Sequence, residues 1–496
     1  MCACPVPYIF AGAWLMRKIP EVAKHRRGRA ALAVTVCGAS AAFYLLQRRW
    51  RRRRERLSVG LELGRFGLSD HGFVPHAGDV LRRLPAQFAA WEEVADRLAE
   101  LTRSHRLRDV VDSWPCLDAQ PLLSCGTRPD DYEDERFSRA ARRAYAVLAM
   151  IAHSYVWCDR ANPRRALPEA LAVPLHAVAS HLGLPPVLTH AALDLWNWRP
   201  TAPADGEPTR GAAPQDAFRC INTMTGTRDE EWFYCSSTAV QVQAAAIVLG
   251  AYDLLAEAIV VADTAAVGDF LALCADRLEL MASTLSKLAE HCTSEVFWGE
   301  MRPLLQGFGY GTSLPEGLIY TGVRTYGGRP QRFAGASAAQ STAIPVIDAV
   351  FGVAHGRREA AFMSDMRRYM PTKHREFLEM LQRQPSLREV LLGWRNGVCE
   401  SGVPCPTPEE VSALVRQFNI CVERLANFRR SHWRLVGSHI LKPKSAAEEA
   451  AAASARCAGA GCNGSRKGSN AALGTGGSPL ETFLQSTVVA TLAARI

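Results

Sequence analysis

His432 lies in a segment whose residue types could bind a metal. The stretch ICVERLANFRRSHWRLVGSHIL has apolar residues at helical spacing, among them Leu425, Phe428 and Leu435. An imidazole on such a helix can ligate iron, although a histidine in this setting is more often structural. His439, about two helical turns further on, offers the same donor atoms. Spacing alone does not choose between the two histidines.

No other pattern in the chain indicates a competing chemistry. The sequence contains no Walker loop, Rossmann glycine pattern, HExxH or GxSxG motif. GYGTSLPEG near Gly309 and ALGTGGS near Gly474 are rich in glycine, but neither follows a clear strand, so phosphate binding is weakly indicated. The residues alone therefore predict an all-α globular domain with candidate ligands.

Basic residues are concentrated at the start of the chain. Residues 1–58 carry 13 Lys and Arg against two acidic residues, whereas the remainder carries 45 basic and 47 acidic residues. A nucleic-acid enzyme spreads basic residues over its working face, so no nucleic-acid partner is expected. The fifteen cysteines are scattered and odd in number, which favours a reducing compartment without a disulfide framework or a structural zinc site.

The basic extension, residues 1–58, contains one uncharged stretch, at about 30–47. Its length is close to the ~20 residues that cross a bilayer, and basic clusters flank it. A membrane anchor would place the following domain on the cytosolic side, because the heavier positive charge comes after the stretch. The Arg-rich, acid-poor composition also suits a mitochondrial or plastid transit peptide. A disordered extension of a cytoplasmic protein is the third interpretation.

From Val59 onward, apolar residues recur mainly at helical spacing, which predicts an all-α protein with its cofactor between facing helices. A Pro/Gly/Ala-rich stretch at 199–216 indicates a connector between two helical lobes. Residues 445–478 are low in complexity, which predicts a mobile segment that folds back over another part of the protein.

Several motifs resemble the indoleamine 2,3-dioxygenase family and occur in the family's order between Leu68 and Leu484. They are HSYVW at 153–157, LPPVL at 184–188, TGTRDEEWFY at 225–234, FAGASAAQST at 333–342, DMRRYMPTKHREFL at 365–378, FRRSH at 428–432 and GTGGSPLETFL at 474–484. The resemblance implies a two-domain, all-α fold in which a small N-terminal domain caps a larger haem-binding domain.

The resulting domain assignment combines this resemblance with the composition. The parts are a basic extension (1–58), a small helical domain (59–200), a connector (201–222), a large haem-binding domain (223–444), a low-complexity mobile loop (445–473), and the GTGG active-site loop with a C-terminal helix (474–496).

The resemblance implies haem b as cofactor, with His432 as the proximal iron ligand and His439 as a structural residue. A neutral imidazole leaves the opposite side of the iron free for O2. Asp348 and Arg429 match a pair that forms a salt bridge on the proximal side in the family. Such a pair orients the ligand and tunes the iron; a purely structural ion pair is an equal alternative.

Other residues match the distal pocket of the family. Arg302 would bind the substrate carboxylate through its planar guanidinium group. Ser237 lies at a distal position, and Thr475 matches a mobile loop that closes over bound substrate. The remaining matches, which would flank the indole or the haem edge, are Phe233, Phe297, Trp298, Ser337 and Ala338. Trp298 stands where the family usually carries Phe.

Three residues depart from the family pattern near the distal side of the haem. His190, Leu193 and Asp194 occupy positions where well-known members have an aromatic, a thiol and an aliphatic side chain. A histidine and a carboxylate there would make the indole pocket more polar, and could bond the substrate N–H or O2. Alternatively, Asp194 turns away into solvent. These changes weaken the expectation that L-tryptophan is the best substrate.

The resemblance thus implies a haem-dependent dioxygenase that converts L-tryptophan or a related indole, with O2, into N-formylkynurenine. It needs an electron donor to keep the haem ferrous, and we expect a monomer. No protein general base is needed, and His190 is the nearest candidate for one. The alternatives are a non-catalytic O2-binding haem protein of the same fold and a haem-free helical interaction protein tethered to a membrane.

Overall fold

The fold is known from a computed structural model that describes residues 64–123, 135–201, 214–254, 259, 262–309, 311–399, 403–457 and 473–496. The basic extension, with its predicted anchor or transit peptide at 30–47, lies outside the described residues. Phe66–Ile496 forms one compact unit. The division of this unit into a small and a large domain stays a prediction.

Helices dominate the described part, which confirms the predicted all-α class. In chain order they are α1 (Ala89–Asp96), α2 (Leu98–Arg103), α3 (Leu107–Asp112), α4 (Gln120–Leu123), α5 (Glu135–Trp157), α6 (Glu169–His181), α7 (Arg228–Asp253), α8 (Thr264–Ser286), α9 (Leu288–His291), α10 (Ser294–Val296), α11 (Arg302–Leu305), α12 (Ala343–Phe351), α13 (Arg357–Met366), α14 (Thr372–Gln382), α15 (Leu387–Arg395), α16 (Pro408–Val436), α17 (Lys442–Cys457) and α18 (Leu480–Leu492).

Strands are few and short among the described residues. Strand β1 (Ala166–Leu167) pairs in parallel with β4 (Ile319–Tyr320), and β2 (Trp198–Pro200) pairs antiparallel with β3 (Phe218–Cys220). The second pair joins the start of the predicted connector (201–222) to its end, because β2 comes directly before the connector and β3 lies in its last part. These pairs tie loops together and form no layer of their own.

Helix α16, which carries His432, is defined at its start by a capping box. The Thr407 hydroxyl accepts from the Glu410 backbone N–H, the Glu410 carboxylate accepts from the Thr407 backbone N–H, and Pro408 occupies the first turn. Its apolar stripe, which includes Phe418 and Leu425, is buried. The stripe packs against α8 and α18, so α16 is a central element of the C-terminal core.

Among the described residues, three complete short π-helices interrupt the regular helical structure. They are Ala191–Leu195, Phe297–Met301 and Gly437–Leu441. A π-helix places one extra residue in a turn, so it shifts the direction of every side chain that follows. Single π-turns of this kind are frequent at functional sites.

The predicted mobile loop at 445–473 is wrong over its first part. Residues 445–457 continue helix α17, because the Ala-rich sequence SAAEEAAAASARC has a high intrinsic helix propensity. The remaining residues, 458–472, lie outside the described part. The C-terminal helix predicted after the GTGG loop is present as α18.

Cysteine pairing also differs locally from the expectation. Cys399 and Cys405 form a disulfide in the segment between α15 and α16. The other cysteines of the described residues, such as the buried Cys220, Cys235 and Cys292, are free thiols. This is the one disulfide among the residues that the structure describes; it closes a short loop and does not form a framework.

Helix α7 has the length and the hydropathy of a membrane span, but 67% of its most apolar 18-residue stretch is buried inside the protein. Its packing against α8 and α12 accounts for that composition. No other helix of the described ranges passes the same test.

Gly307 and Gly335 allow two chain segments to cross at backbone distance. Phe308 and Phe333 exchange two backbone hydrogen bonds of 2.8 Å, and each glycine lies beside this bridge. A Cβ atom on either glycine would lie closer than 3.0 Å to backbone atoms of the opposite segment. The glycine of the FAGAS motif is therefore required by this close approach.

We predict that Gly335→Ala destabilises the fold. The new methyl group has only backbone atoms to displace, and overpacking of this kind costs about 1–3 kcal/mol. The melting temperature should fall by several degrees in a thermal unfolding experiment. Gly437→Ala is the matched control, since Gly437 is helical and its Cβ would meet nothing within 4 Å. An equal loss of stability in both variants would contradict the explanation.

Candidate active site

A cavity of about 310 Å³, called the central cavity below, lies between the helices of the compact unit and has a mainly apolar lining. The structure brings nearly all the predicted site residues to its wall. The predicted residues that line it are His190, Leu193, Asp194, Phe233, Ser237, Phe297, Arg302, Ser337, Ala338, Asp348, Arg429, His432 and Thr475. Residues from all three π-helices also line this cavity.

His432 is partly buried, and it is part of the cavity wall. Its ring makes no hydrogen bond with any residue that the structure describes. Burial lowers the pKa of His432 to about 4, so the ring is neutral at pH 7. A neutral imidazole with a free nitrogen at an apolar cavity is the donor that haem iron requires. This residue therefore fits the haem implied by the sequence.

His439 is distinguished from His432 by its hydrogen bonds. Its Nε2 lies 2.9 Å from the Cys292 carbonyl oxygen, and its Nδ1 lies 2.8 Å from the Ser438 hydroxyl. A neutral ring satisfies both contacts when Nε2–H donates to the carbonyl and Nδ1 accepts from the hydroxyl. Both nitrogens are thus engaged within the protein, as expected of a structural histidine.

Asp348 and Arg429 form a buried ion pair beside His432. The Nη2 atom of Arg429 donates to both carboxylate oxygens, at 2.6 and 2.7 Å, and Nη1 donates to the Thr491 hydroxyl. Burial alone would raise the pKa of Asp348, but the Arg429 charge and a 2.8 Å contact with His355 hold it below its ordinary value. The pair fixes α16 to α12 and α18, and so positions His432.

His355 is a member of this cluster that sequence reasoning missed. It lies between α12 and α13, and its Nε2 contacts the Asp348 carboxylate. The segment around it, GVAHGRRE, has no helical periodicity and no motif that would indicate a role. Only the tertiary fold brings this imidazole to Asp348.

Arg302 presents a partly buried positive charge to the cavity. Its Nη2 donates to the Leu473 carbonyl oxygen at 2.6 Å, and no carboxylate of the described residues lies within ion-pair distance of it. Burial lowers the pKa of Arg302 to about 10, so the side chain remains charged at pH 7. A desolvated guanidinium without an anionic partner is well suited to bind a ligand carboxylate.

Trp298 lies apart from the other predicted residues. It lines a neighbouring cavity of about 520 Å³, which Arg302 also lines, and it is not part of the central cavity wall. The Arg302 guanidinium carbon lies 5.4 Å from the centroid of the Trp298 ring. This cation–π contact holds the guanidinium, so Trp298 supports Arg302 and does not face the indole space directly.

Phe233 and Phe297 form an aromatic part of the wall. Their ring centroids are 5.2 Å apart, with the planes tilted by 40°. Phe233 lies on α7, and Ser237 follows it one turn later on the same helix. These residues offer a flat apolar surface to an aromatic ligand, with one hydroxyl nearby.

The GTGG loop lies against the segment that contains Ser337 and Ala338. The Thr475 hydroxyl donates to the Ala336 carbonyl at 2.5 Å, and the Gly335 N–H donates to the Thr475 carbonyl at 3.0 Å. A Cβ on Gly476 would come within 3.4 Å of Ser337. The loop therefore covers one side of the cavity, where the sequence predicted a lid.

His190 and Asp194 contact each other at the cavity wall. The carboxylate oxygen Oδ2 of Asp194 meets Nδ1 of His190, and both side chains are buried. Asp194 therefore does not turn away into solvent, which was one of the two sequence interpretations. Leu193, between them in the same π-helix, lines the cavity as well.

Comparison with known proteins agrees with this geometry. The family model described as indoleamine 2,3-dioxygenase matches residues 62–494. The chain is 30% identical over 436 residues to indoleamine 2,3-dioxygenase from Saccharomyces cerevisiae, covering 84% of this chain and 89% of the relative. It is 31% identical over 441 residues to indoleamine 2,3-dioxygenase qulI from Penicillium citrinum, covering 88% and 89%.

A mammalian relative is similar over the same part of the chain. Indoleamine 2,3-dioxygenase 2 from Mus musculus is 29% identical over 432 residues, covering 87% of this chain and 94% of the relative. The family-model match at residues 62–494 includes both the His432 helix and the distal residues. The family consists of haem-dependent oxidoreductases that act on indoleamines. This chain belongs to the indoleamine 2,3-dioxygenase family.

Proposed function

We propose that this protein opens L-tryptophan, or a related indoleamine, by inserting both atoms of O2 across the indole C2–C3 bond. The product is N-formylkynurenine, and the reaction is the first step of tryptophan degradation by the kynurenine pathway. The observation that supports this best is that a neutral His432 and a charged Arg302 line one cavity; among the described residues, the His432 ring has no hydrogen-bond partner and Arg302 has no carboxylate partner. A non-catalytic O2-binding protein has no use for a carboxylate clamp, so Arg302 favours the dioxygenase.

The residues of the cavity suit haem b as the cofactor. His432 would hold the iron, while Asp348 and Arg429 keep its helix in place. The mainly apolar lining matches the porphyrin surface and excludes water. When bound, the haem supplies the redox-active iron through which O2 becomes reactive.

The protein's own contribution is to bind and orient the substrate. Arg302 binds the carboxylate, and Phe233 and Phe297 pack against the indole ring. The Thr475 loop covers the cavity and excludes water from the reacting atoms. Holding the ring at one place converts an encounter between molecules into a reaction within one complex. The chain supplies no general base in this mechanism.

Further parts of the proposal depend on the sequence alone. An electron donor keeps the haem iron ferrous, and the protein acts as a monomer. The basic extension attaches it to a membrane through residues 30–47, with the catalytic domain in the cytosol. The alternatives for this extension are a mitochondrial or plastid transit peptide and a disordered extension of a cytoplasmic protein.

The first test measures the reaction directly. The full-length, haem-loaded protein is reduced without oxygen and then given L-tryptophan and O2, and the absorbance of N-formylkynurenine is followed. Its formation supports the dioxygenase. A stable O2 complex of the protein without product would instead support the non-catalytic haem protein.

His432→Ala is expected to remove the haem Soret absorbance of the purified protein, because it deletes the free imidazole at the cavity. Added imidazole should restore part of that absorbance, since it replaces the missing ligand. His439→Gln is the control, because its partners lie within the protein fold. That variant should keep its haem while losing stability. Retention of a normal Soret band by His432→Ala would overturn the assignment of the ligand.

Arg302→Gln is expected to raise KM for L-tryptophan by roughly 10- to 100-fold, the usual effect of losing a charged hydrogen bond. The KM for tryptamine, which has no carboxylate, should change little. Arg332→Gln serves as a matched control, since Arg332 lines the neighbouring cavity and pairs with Glu316. An equal rise in KM for both substrates would mean that Arg302 does not bind the carboxylate.

A further inference from the structure

The pair formed by His190 and Asp194 is an unusual feature of an otherwise apolar cavity. The two residues lie four apart across the π-helix Ala191–Leu195, and their side chains are 5% and 7% exposed. Both line the central cavity, and neither lines the neighbouring one. Arg302 lines both cavities. The pair and Arg302 thus share the central cavity, and only Arg302 also reaches the neighbouring one.

Each member of the pair keeps one buried polar atom without a partner. These atoms are Nε2 of His190 and Oδ1 of Asp194, which form no hydrogen bond with the part of the chain that the structure describes. Leaving one such atom unpaired costs about 1–3 kcal/mol. An aromatic and an aliphatic residue would fill the same space without that cost. Because both residues line the central cavity, a ligand bound there is the nearest partner that could satisfy these atoms.

Hydrogen bonds from neighbouring elements hold the pair in place. The His190 backbone N–H donates to Gln340 Oε1 at 3.0 Å, and Gln340 Nε2 donates to the Gly335 carbonyl at 2.8 Å. The Thr238 hydroxyl on α7 donates to the Asp194 carbonyl at 2.8 Å. Because both ends of the π-helix are tied, the side chains cannot easily turn to find other partners. The arrangement is preorganised for a ligand.

The chemistry of the pair defines the ligand group that it suits. In a neutral ring, the carboxylate beside Nδ1 favours the tautomer with the proton on that nitrogen, which leaves Nε2 as an acceptor. Oδ1 of the carboxylate is an acceptor as well. A carboxylate or carbonyl of a ligand would be repelled by both atoms. An N–H or O–H group would satisfy them.

We propose that His190 and Asp194 form a specificity subsite that accepts a hydrogen bond from an N–H or O–H group on the ring of the substrate. This inference depends on the proposed function, because it assigns the carboxylate to Arg302 and the ring to the inner part of the same cavity. The preferred substrates are therefore indoles with a free ring N–H or a ring hydroxyl. Indoles whose donor is blocked by a methyl group are selected against.

The experiment compares substrates that differ in one donor. The haem-loaded, full-length protein and its variants are given L-tryptophan, 1-methyl-L-tryptophan and the series of ring-hydroxylated tryptophans. Values of kcat and KM are measured for each. Dissociation constants of the same compounds are obtained without O2 from the spectral change of the ferric protein, so that binding is read independently of turnover.

The variants are His190→Phe with Asp194→Leu, which makes this part of the wall apolar, and the isosteric Asp194→Asn, which keeps its shape. We expect the ratio of kcat/KM for L-tryptophan over 1-methyl-L-tryptophan, or for a hydroxylated tryptophan over L-tryptophan, to fall by about tenfold in these variants. Most of this change should come from the dissociation constants. The control is His176→Phe, the same change at a half-buried histidine that contacts Thr325 and lines neither cavity. It should leave the preference unchanged.

The outcomes separate the possible donors. A loss of preference for L-tryptophan over its 1-methyl derivative assigns the bond to the ring N–H, and a loss confined to one hydroxylated substrate assigns it to that O–H. An equal loss of kcat for all substrates at unchanged ratios overturns the inference. The inference is also overturned if the variants weaken the binding of L-tryptophan but not that of indole-3-propionate, which lacks the ammonium group. The ammonium group would then be the donor. Absence of product from every indole with the wild-type protein would contradict the proposed function, while the binding titration would still test the subsite.

Discussion

The buried ion pair between Arg429 and Asp348 constrains the geometry on which the whole site depends. Removing two charges from water costs several kcal/mol for each ion unless close contacts compensate. Here the carboxylate receives two hydrogen bonds from Arg429 and contacts His355, while Arg429 also reaches Thr491. Because Arg429 precedes His432 by three residues, both lie on neighbouring positions of α16. The contacts that fix one side chain therefore fix the direction of the other.

Most helices could be predicted from the sequence because burial of one face imposes a regular pattern. Helix α16 shows this well, with a capping box at Thr407 and an apolar stripe that the structure buries. Residues 445–457 show the limit of the approach. They have no apolar stripe, and the low-complexity composition suggested a loop, yet their alanines favour a helix on local grounds. At 445–457, intrinsic helix propensity therefore determined the structure, although no hydrophobic pattern indicated a helix.

The residues of the site could be predicted in type but not in arrangement, since contacts between distant segments decide the arrangement. His432 and His439 are equivalent by spacing, and contacts with the neighbouring Ser438 and with the carbonyl of Cys292, far away in the chain, engage both ring nitrogens of His439. Trp298 follows Phe297 directly, but the π-helix that contains both changes the direction of the side chains. A regular helical period thus cannot say which of them faces the indole space. The sequence carries no known signal for a π-turn, so this part required the structure.

In the proposed function, Arg302 would connect the binding of substrate to the loop that contains Thr475. One of its nitrogens donates to the Leu473 carbonyl, at the start of the loop that contains Thr475. Thr475 in turn bonds to Gly335 and Ala336 on the opposite wall. A carboxylate that pairs with Arg302 would therefore hold the same guanidinium that holds the loop, and exclusion of water by the loop would strengthen that pairing. Under this proposal the carboxylate site and the loop would act together, and a ligand carboxylate would supply the anionic partner that Arg302 lacks among the described residues.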